Sequence, residues 1–181
     1  MAWQATVRRE ETDAYATALL SVSFPNRIPA LQGMETMRVY PHGCTEQVTS
    51  AALTGVAVLE WGLANGMPGP RIAELRGTLA AAVARLVAMQ RPDGGWGWFR
   101  SDPSAPSGNV YLTAYVLHAL TELREADVFV PDGALQAASK HLLAARNPQG
   151  LWSGKGAFFW EASNEASDLA LSAEIFRVLV A

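Results

Sequence analysis

Apolar residues recur at helical spacing through most of this chain, with polar residues falling on one side, and that period predicts amphipathic helices. Arg71 to Gln90 and Gly133 to Arg146 are rich in Ala and Leu and read as two such helices. Three other segments open alike, Leu53-Thr54-Gly55-Val56, Leu112-Thr113-Ala114-Tyr115 and Leu171-Ser172-Ala173-Glu174, each 59 residues after the one before. A fixed offset of this kind points to duplicated units. With the Ala-rich stretches lying between the three starts, each unit reads as a helical hairpin. Strand signal is thin: only Trp96 to Arg100 and Ala157 to Trp160 read as extended, and both fall in loops.

The connectors repeat too. Gln90-Arg91-Pro92-Asp93-Gly94-Gly95-Trp96 returns as Arg146-Asn147-Pro148-Gln149-Gly150-Leu151-Trp152, with the prolines at 92 and 148. Proline ends a helix and glycine makes the turn, while a Trp at the end of each turn is expected to plug the packing between hairpins rather than to bind a ligand. Stacked hairpins form an open solenoid or close into a toroid, here with the Leu-Thr-Ala helices inside and the Ala-rich helices outside. The fold class is therefore all-α, built of stacked helical hairpins, with solenoid and toroid both open at this point. Two units and part of a third do not close a ring, so if the parent fold is a toroid the chain is a fragment of it; it reads as a single domain over 1–181 with 1–20 as an uncertain lead-in. Its last helix, Asp168 to Ala181, is expected to present an apolar face without a neighbour.

At 181 residues, half of them hydrophobic and 17% charged, the chain can bury a sizeable core. A net charge of -3 without a basic cluster argues against nucleic acid or an anionic membrane as partner. Glu60 interrupts the apolar stretch Ala51 to Ala64, and Arg85 interrupts Thr78 to Met89, so neither predicts a membrane span. The N-terminal residues carry neither an apolar core nor a small-residue cleavage site of an export signal.

One cysteine remains to be placed. Cys44 lies in Tyr40-Pro41-His42-Gly43-Cys44-Thr45-Glu46-Gln47, with a glutamine at the third position after it. An unpaired cysteine is often a buried, inert small hydrophobe. The alternative is chemical: a thiol and a primary amide at this spacing can condense, releasing ammonia, to an internal thioester between sulfur and the glutamine side-chain carbonyl, a stored acyl donor. Pro41 and Gly43 before the cysteine suit a strained loop, Gly43 by letting backbone approach closely. The pair is expected just before an inner helix starting near Val48. Asn109 and Asn164 precede the other inner helices at similar offsets, so the three loops should meet at one end, where helix N-terminal N–H groups can face an oxyanion on Gln47.

The run Tyr-Pro-His-Gly-Cys-Thr-Glu-Gln-Val-Thr-Ser at 40–50 resembles the thioester motif of the alpha-2-macroglobulin and complement family, bacterial branch. Residues 90–99, 109–117 and 169–173 follow in the family's order, so the resemblance covers the chain from about Ser21 onward. It implies an alpha/alpha toroid, here incomplete, that serves as the thioester domain within a much larger multidomain proteinase inhibitor. There, bait cleavage exposes the bond, and the acyl group passes to a lysine amine of the trapped proteinase. Cys44 and Gln47 match the motif as leaving group and acyl carrier. Complement relatives place a histidine in the loop before the last inner helix; the equivalent place here falls near Trp160, and that loop has no histidine, which implies direct aminolysis by lysine. His42, Glu46, Tyr40 and Trp160 are the accessory candidates. His42 reads either as a base or nucleophile or as a residue that shields the bond; Glu46 either pairs with a neighbour or repels anions. His118 and His141 read as packing or surface residues within helices. The resemblance implies a single-use trap rather than an enzyme, an export to periplasm or extracellular space, and, as partners, target proteinases and other domains of the same polypeptide. No cofactor and no metal are expected.

Two other readings stand beside it. The Gln-x-Pro-Asp-Gly-Gly-Trp connector also occurs in isoprenoid cyclase and prenyltransferase toroids, although the Asp-rich cluster that their chemistry needs is not found here. A metal would find only His42 and Cys44 without a second pair. The remaining reading is a structural or interaction module whose thioester does not form.

Overall fold

The computed structural model of the chain describes residues 3–7, 18–22, 43–100, 107–154 and 165–180. Five helices dominate these residues: α1 (Thr45–Ala64), α2 (Gly69–Met89), α3 (Val110–Glu125), α4 (Asp132–Ala144) and α5 (Glu165–Val180). The predicted hairpins are present, with α2 packed on α1 and α4 on α3. In turn α3 lies between α1 and α5, which makes an inner row of α1, α3 and α5 with α2 and α4 outside. Ser50 and Tyr115, each in the second turn of its helix, meet at 2.9 Å, so the N-termini of α1 and α3 lie at the same end.

Burial follows this layout. The outer helix α2 buries one stripe, Leu75, Leu79, Val83 and Leu86, whereas α3 buries Leu112, Ala114, Val116, Leu117, Ala119, Leu120 and Leu123 because it is packed on several sides. On α5, Ile175 and Val178 are buried, while Leu169 and Phe176 are about half exposed and Val180 more so. That apolar exposure on α5 agrees with the expected unpartnered face.

The repeat is visible in hydrogen bonds as well as in sequence. In each connector a glycine with positive φ, Gly94 at 86° and Gly150 at 82°, closes the turn by donating to the residue three before it, Arg91 and Asn147. Both tryptophans that follow are fully buried. The indole N–H of Trp96 donates to the Leu86 carbonyl at 2.7 Å, and that of Trp152 to the Leu142 carbonyl at 2.6 Å. Their backbone N–H groups donate to the side-chain oxygens of Thr113 and Ser172, the second residues of two of the repeated starts. The tryptophans are thus packing plugs whose polar atoms are satisfied at both ends.

The first connector also docks α4. Asp93 accepts the N–H groups of Gly95 at 3.0 Å and Gly108 at 2.8 Å, and its carboxylate lies 3.6 Å from His141 on α4. Gly95 and Gly108 come so close that a Cβ on Gly95 would stand 2.8 Å from the Gly108 Cα and 2.8 Å from the His141 ring. Burial pushes the Asp93 carboxyl up, but the Gly108 and Gly95 donors, with His141 and Arg91 nearby, outweigh it, and the net position is below the ordinary 3.8.

Three expectations are revised. Helix α1 begins at Thr45, not near Val48, so Gln47 sits in its first turn. Trp96 to Arg100 forms no strand and makes a single bridge, from Trp96 to Asn109. Extended structure appears instead within the first 22 residues, where β1 (Trp3–Val7) pairs antiparallel with β2 (Ala18–Val22), Trp3 opposite Val22 and Val7 opposite Ala18. The extended stretch Ala157 to Trp160 lies outside the described residues.

Trp96→Phe keeps most of the ring but leaves the Leu86 carbonyl without its donor, and is expected to lower stability by about 1–3 kcal/mol in urea unfolding. Asp93→Asn tests the carboxylate. Its folded pKa lies below the unfolded value, so its contribution is full at neutral pH and fades as pH falls below 3.8. The gap in melting temperature between wild type and Asp93→Asn is therefore expected to narrow as pH is lowered from about 5 to 3.

Candidate functional site

Cys44 is the residue on which α1 starts. Its backbone is extended, φ −67° and ψ 170°, and its carbonyl accepts the Val48 N–H at 3.1 Å, as an N-cap carbonyl does. The Gln47 side chain folds back, so that its Oε1 accepts the Cys44 N–H at 3.0 Å. The Cys44 side chain in turn faces the Gln47 backbone N–H, which completes the reciprocal arrangement of a capping box. The three-residue spacing therefore has a local cause: one helical turn places the N-cap and N3 side chains against each other. It also brings the thiol-bearing residue and the carboxamide carbonyl together, as condensation between them requires.

The first turn of α1 is fixed from two sides. Thr45, fully buried, donates its N–H to the Trp98 carbonyl at 2.9 Å and its hydroxyl to the Gly97 carbonyl at 2.5 Å. Those carbonyls belong to the loop after Trp96, which Arg91 braces by donating to the Phe99 carbonyl at 3.2 Å. From the other side, Arg85 of α2 donates from Nη2 to the Gly43 carbonyl at 2.9 Å. Among the described residues, a Cβ built on Gly43 would lie 3.5 Å from Gln47 Oε1 and 3.7 Å from Arg85 Nη2, both ordinary contacts.

Glu46 turns toward α3. It accepts the Ser50 hydroxyl at 2.7 Å, and Ser50 reaches the Tyr115 hydroxyl at 2.9 Å. Tyr115 stacks on Tyr111 with ring centroids 6.1 Å apart. Burial, then Tyr115 and Glu46, pushes the Tyr111 phenol above its usual range, which keeps it a neutral donor.

Sequence reading brought Cys44, Gln47 and Glu46 to one helix end, and the structure holds them there. Tyr40, His42, Trp160 and Asn164 lie outside the described residues. Asn109 caps α3, its Oδ1 accepting the Leu112 N–H at 3.0 Å, so α3 spends that donor on its own cap. The N–H facing Gln47 Oε1 belongs to Cys44 itself. Thr45, Arg85, Ser50, Tyr111 and Tyr115 were not anticipated; Cys-x-x-Gln with cysteine in the place of serine is a capping-box signal that locates the helix start, and Glu46–Ser50 is a four-residue helical pair. His118 on α3 lies 3.6 Å from Glu122, and His141 packs against the first connector. Among the described residues no three His, Cys, Asp or Glu gather in a metal-binding group, and no helix is long and apolar enough to cross a membrane.

The sequence profile of the A-macroglobulin TED domain matches residues 14–176. The alpha-2-macroglobulin of Escherichia coli K12 is 29% identical over 125 residues, which are 66% of this chain and 7% of that protein. That of Xylella fastidiosa Temecula1 is 28% identical over 154 residues, 82% of this chain and 9% of that protein. The chain thus spans less than a tenth of the length of these relatives. The crystal structure of native E. coli alpha-2-macroglobulin from domain MG7 to the C-terminus superposes with a TM-score of 0.60 at 26% identity, covering 83% of this chain and 22% of that one. With its helical hairpins forming part of an alpha/alpha toroid and the profile spanning nearly all of it, the chain belongs to the A-macroglobulin TED-domain family, and the relatives it resembles are bacterial alpha-2-macroglobulins.

Proposed function

We propose that Cys44 and Gln47 form an internal thioester and that the chain serves, within a larger alpha-2-macroglobulin-like inhibitor, as a single-use covalent trap for proteinases. The observation that carries this reading is the Gln47 Oε1 seated on the Cys44 N–H at 3.0 Å, with the one thiol of the chain in the reciprocal position. The bond forms when the thiolate attacks the Gln47 side-chain carbon. The carbonyl electron pair moves onto Oε1, the thiol proton passes to the amide nitrogen, and ammonia leaves. In trapping, a lysine amine attacks the same carbon, the sulfur leaves with the bond pair, and the amine's proton returns to it. An isopeptide bond and a free Cys44 thiol remain.

Each thioester is consumed once, so turnover is not part of this function. The bacterial alpha-2-macroglobulins it resembles support an inhibitor rather than an enzyme, and with them a periplasmic or extracellular setting. Water must be kept from the bond until a target arrives. Gln47 is exposed, so this reading calls for a cover over the bond, and other domains of the same polypeptide are the candidates for it. Lysine amines of the trapped proteinase are the nucleophiles of this reading.

In the intact protein purified without denaturant, the Cys44–Gln47 peptide is expected to be lighter by one ammonia, to give no titratable thiol, and to take up methylamine at Gln47 with release of the thiol. A full-mass peptide with a titratable Cys44 and no methylamine uptake would leave a structural module without a thioester. Cys44→Ser separates chemistry from folding. Serine is a preferred N-cap and can accept the Gln47 N–H, so stability is expected to stay level or rise by about 0.5–1 kcal/mol while methylamine uptake and proteinase crosslinking are lost.

A further inference from the structure

The Gly43 carbonyl and the Cys44 N–H are the two ends of one peptide group, and each is engaged. Arg85 Nη2 donates to the Gly43 oxygen at 2.9 Å, and the Cys44 nitrogen donates to Gln47 Oε1 at 3.0 Å. Because a peptide group is a resonance unit, a cation bonded to its oxygen draws electron density from the nitrogen and makes its N–H a stronger donor. Hydrogen bonds in series polarise one another in this way, and the one from Arg85 is charge-assisted. The peptide is also held in orientation, since Arg85 is half-buried on α2 and α2 is packed along α1.

We infer that Arg85 is a positioning residue for the acyl chemistry, acting through the Gly43–Cys44 peptide to aim and strengthen the N–H that receives negative charge on Gln47 Oε1. The assignment rests on the thioester reading and deepens it. Both steps pass through a tetrahedral centre at the Gln47 side-chain carbon. In forming the bond, the thiolate adds, the π pair moves onto Oε1, and collapse expels ammonia with the thiol proton. In opening it, an amine adds, the π pair again moves onto Oε1, and collapse expels the sulfur, which takes the amine's proton. The Cys44 N–H meets the oxygen in both, so one donor serves formation and release alike. Arg85 itself touches neither the sulfur nor the carbon in this scheme.

The arrangement differs from an oxyanion site built from several converging helices. Here the donor is the cap of the same helix that carries the acyl group, and what lies beyond it is a side chain from the outer helix. Thr45, on the far side of Cys44, is tied to Gly97 and Trp98. The peptide is therefore held between two anchors from different parts of the fold and need not reorganise as charge develops.

The test compares wild type, Arg85→Met and Arg85→Lys in the intact protein. It measures thioester content by mass, the rate of methylamine uptake per intact thioester, and the infrared stretch of the thioester carbonyl. Arg85→Met removes the cation but keeps an unbranched apolar stem; uptake per intact bond is expected to slow about tenfold, less than the loss from deleting an oxyanion donor outright. The carbonyl stretch should move to higher frequency as its hydrogen bond weakens. Arg85→Lys retains charge and a donor, and should recover to within about threefold of wild type, with an intermediate frequency. A merely structural arginine would change melting temperature and thioester content yet leave rate per bond and frequency at wild-type values, and that outcome overturns the assignment. Arg85→Lys alone equal to wild type in frequency, with Arg85→Met equal to it as well, does the same. Wild type lacking the thioester overturns the thioester reading itself, and this inference with it.

Discussion

Trp96 holds the arrangement together. Its indole is sealed from solvent and bonded to Leu86 at the end of α2, its N–H is bonded to Thr113 on α3, and its carbonyl receives the Asn109 N–H at the start of α3. A buried aromatic of this size contributes strongly through area alone, but area has no direction. The three hydrogen bonds supply direction and fix where the next residues go. Gly97 and Trp98 then present their carbonyls to Thr45, so the position of Cys44 is set by a tryptophan more than fifty residues further along the chain. Trp152 repeats two of these bonds in the next unit, to α4 and α5, which identifies the contact as part of the scaffold.

The helical hairpins were legible because their period, their proline stops and their glycine turns all act within a few residues. Thr113 and Ser172, 59 residues apart, hold equivalent places under Trp96 and Trp152, and both N–H groups of each tryptophan find equivalent partners. Cys44 and Gln47 were legible for the same reason, since one helical turn relates them. The start of α1 was missed because cysteine is not among the usual N-cap residues, although its partner at N3 is the one that a capping box calls for. The ribbon of β1 and β2 was missed because its strands are short and separated by ten residues with no tight-turn signal.

Arg85 could not have been found by spacing. It lies on an outer helix, among alanines and leucines, 42 positions from its partner Gly43. In the sequence it reads only as the charge that breaks an apolar stretch. Thr45 is similar: nothing local says that its hydroxyl is buried against Gly97. Long-range polar contacts of this kind follow from how hairpins stack, and a helical period records which face is buried but not which group it meets.

The tie between Thr45 and the loop at Gly97 and Trp98 has a consequence in time. A chain is made from its N-terminus, at about 5–20 residues per second. Cys44 and Gln47 therefore leave the ribosome several seconds before the carbonyls that fix their helix end, and Arg85 emerges in between. Until the second helix and its turn have folded back, the cap has no anchor on either side. The nascent chain thus carries Cys44 and Gln47 before the helix end that seats the Gln47 carbonyl on the Cys44 N–H is anchored, and those anchors are in place only once the first hairpin is complete.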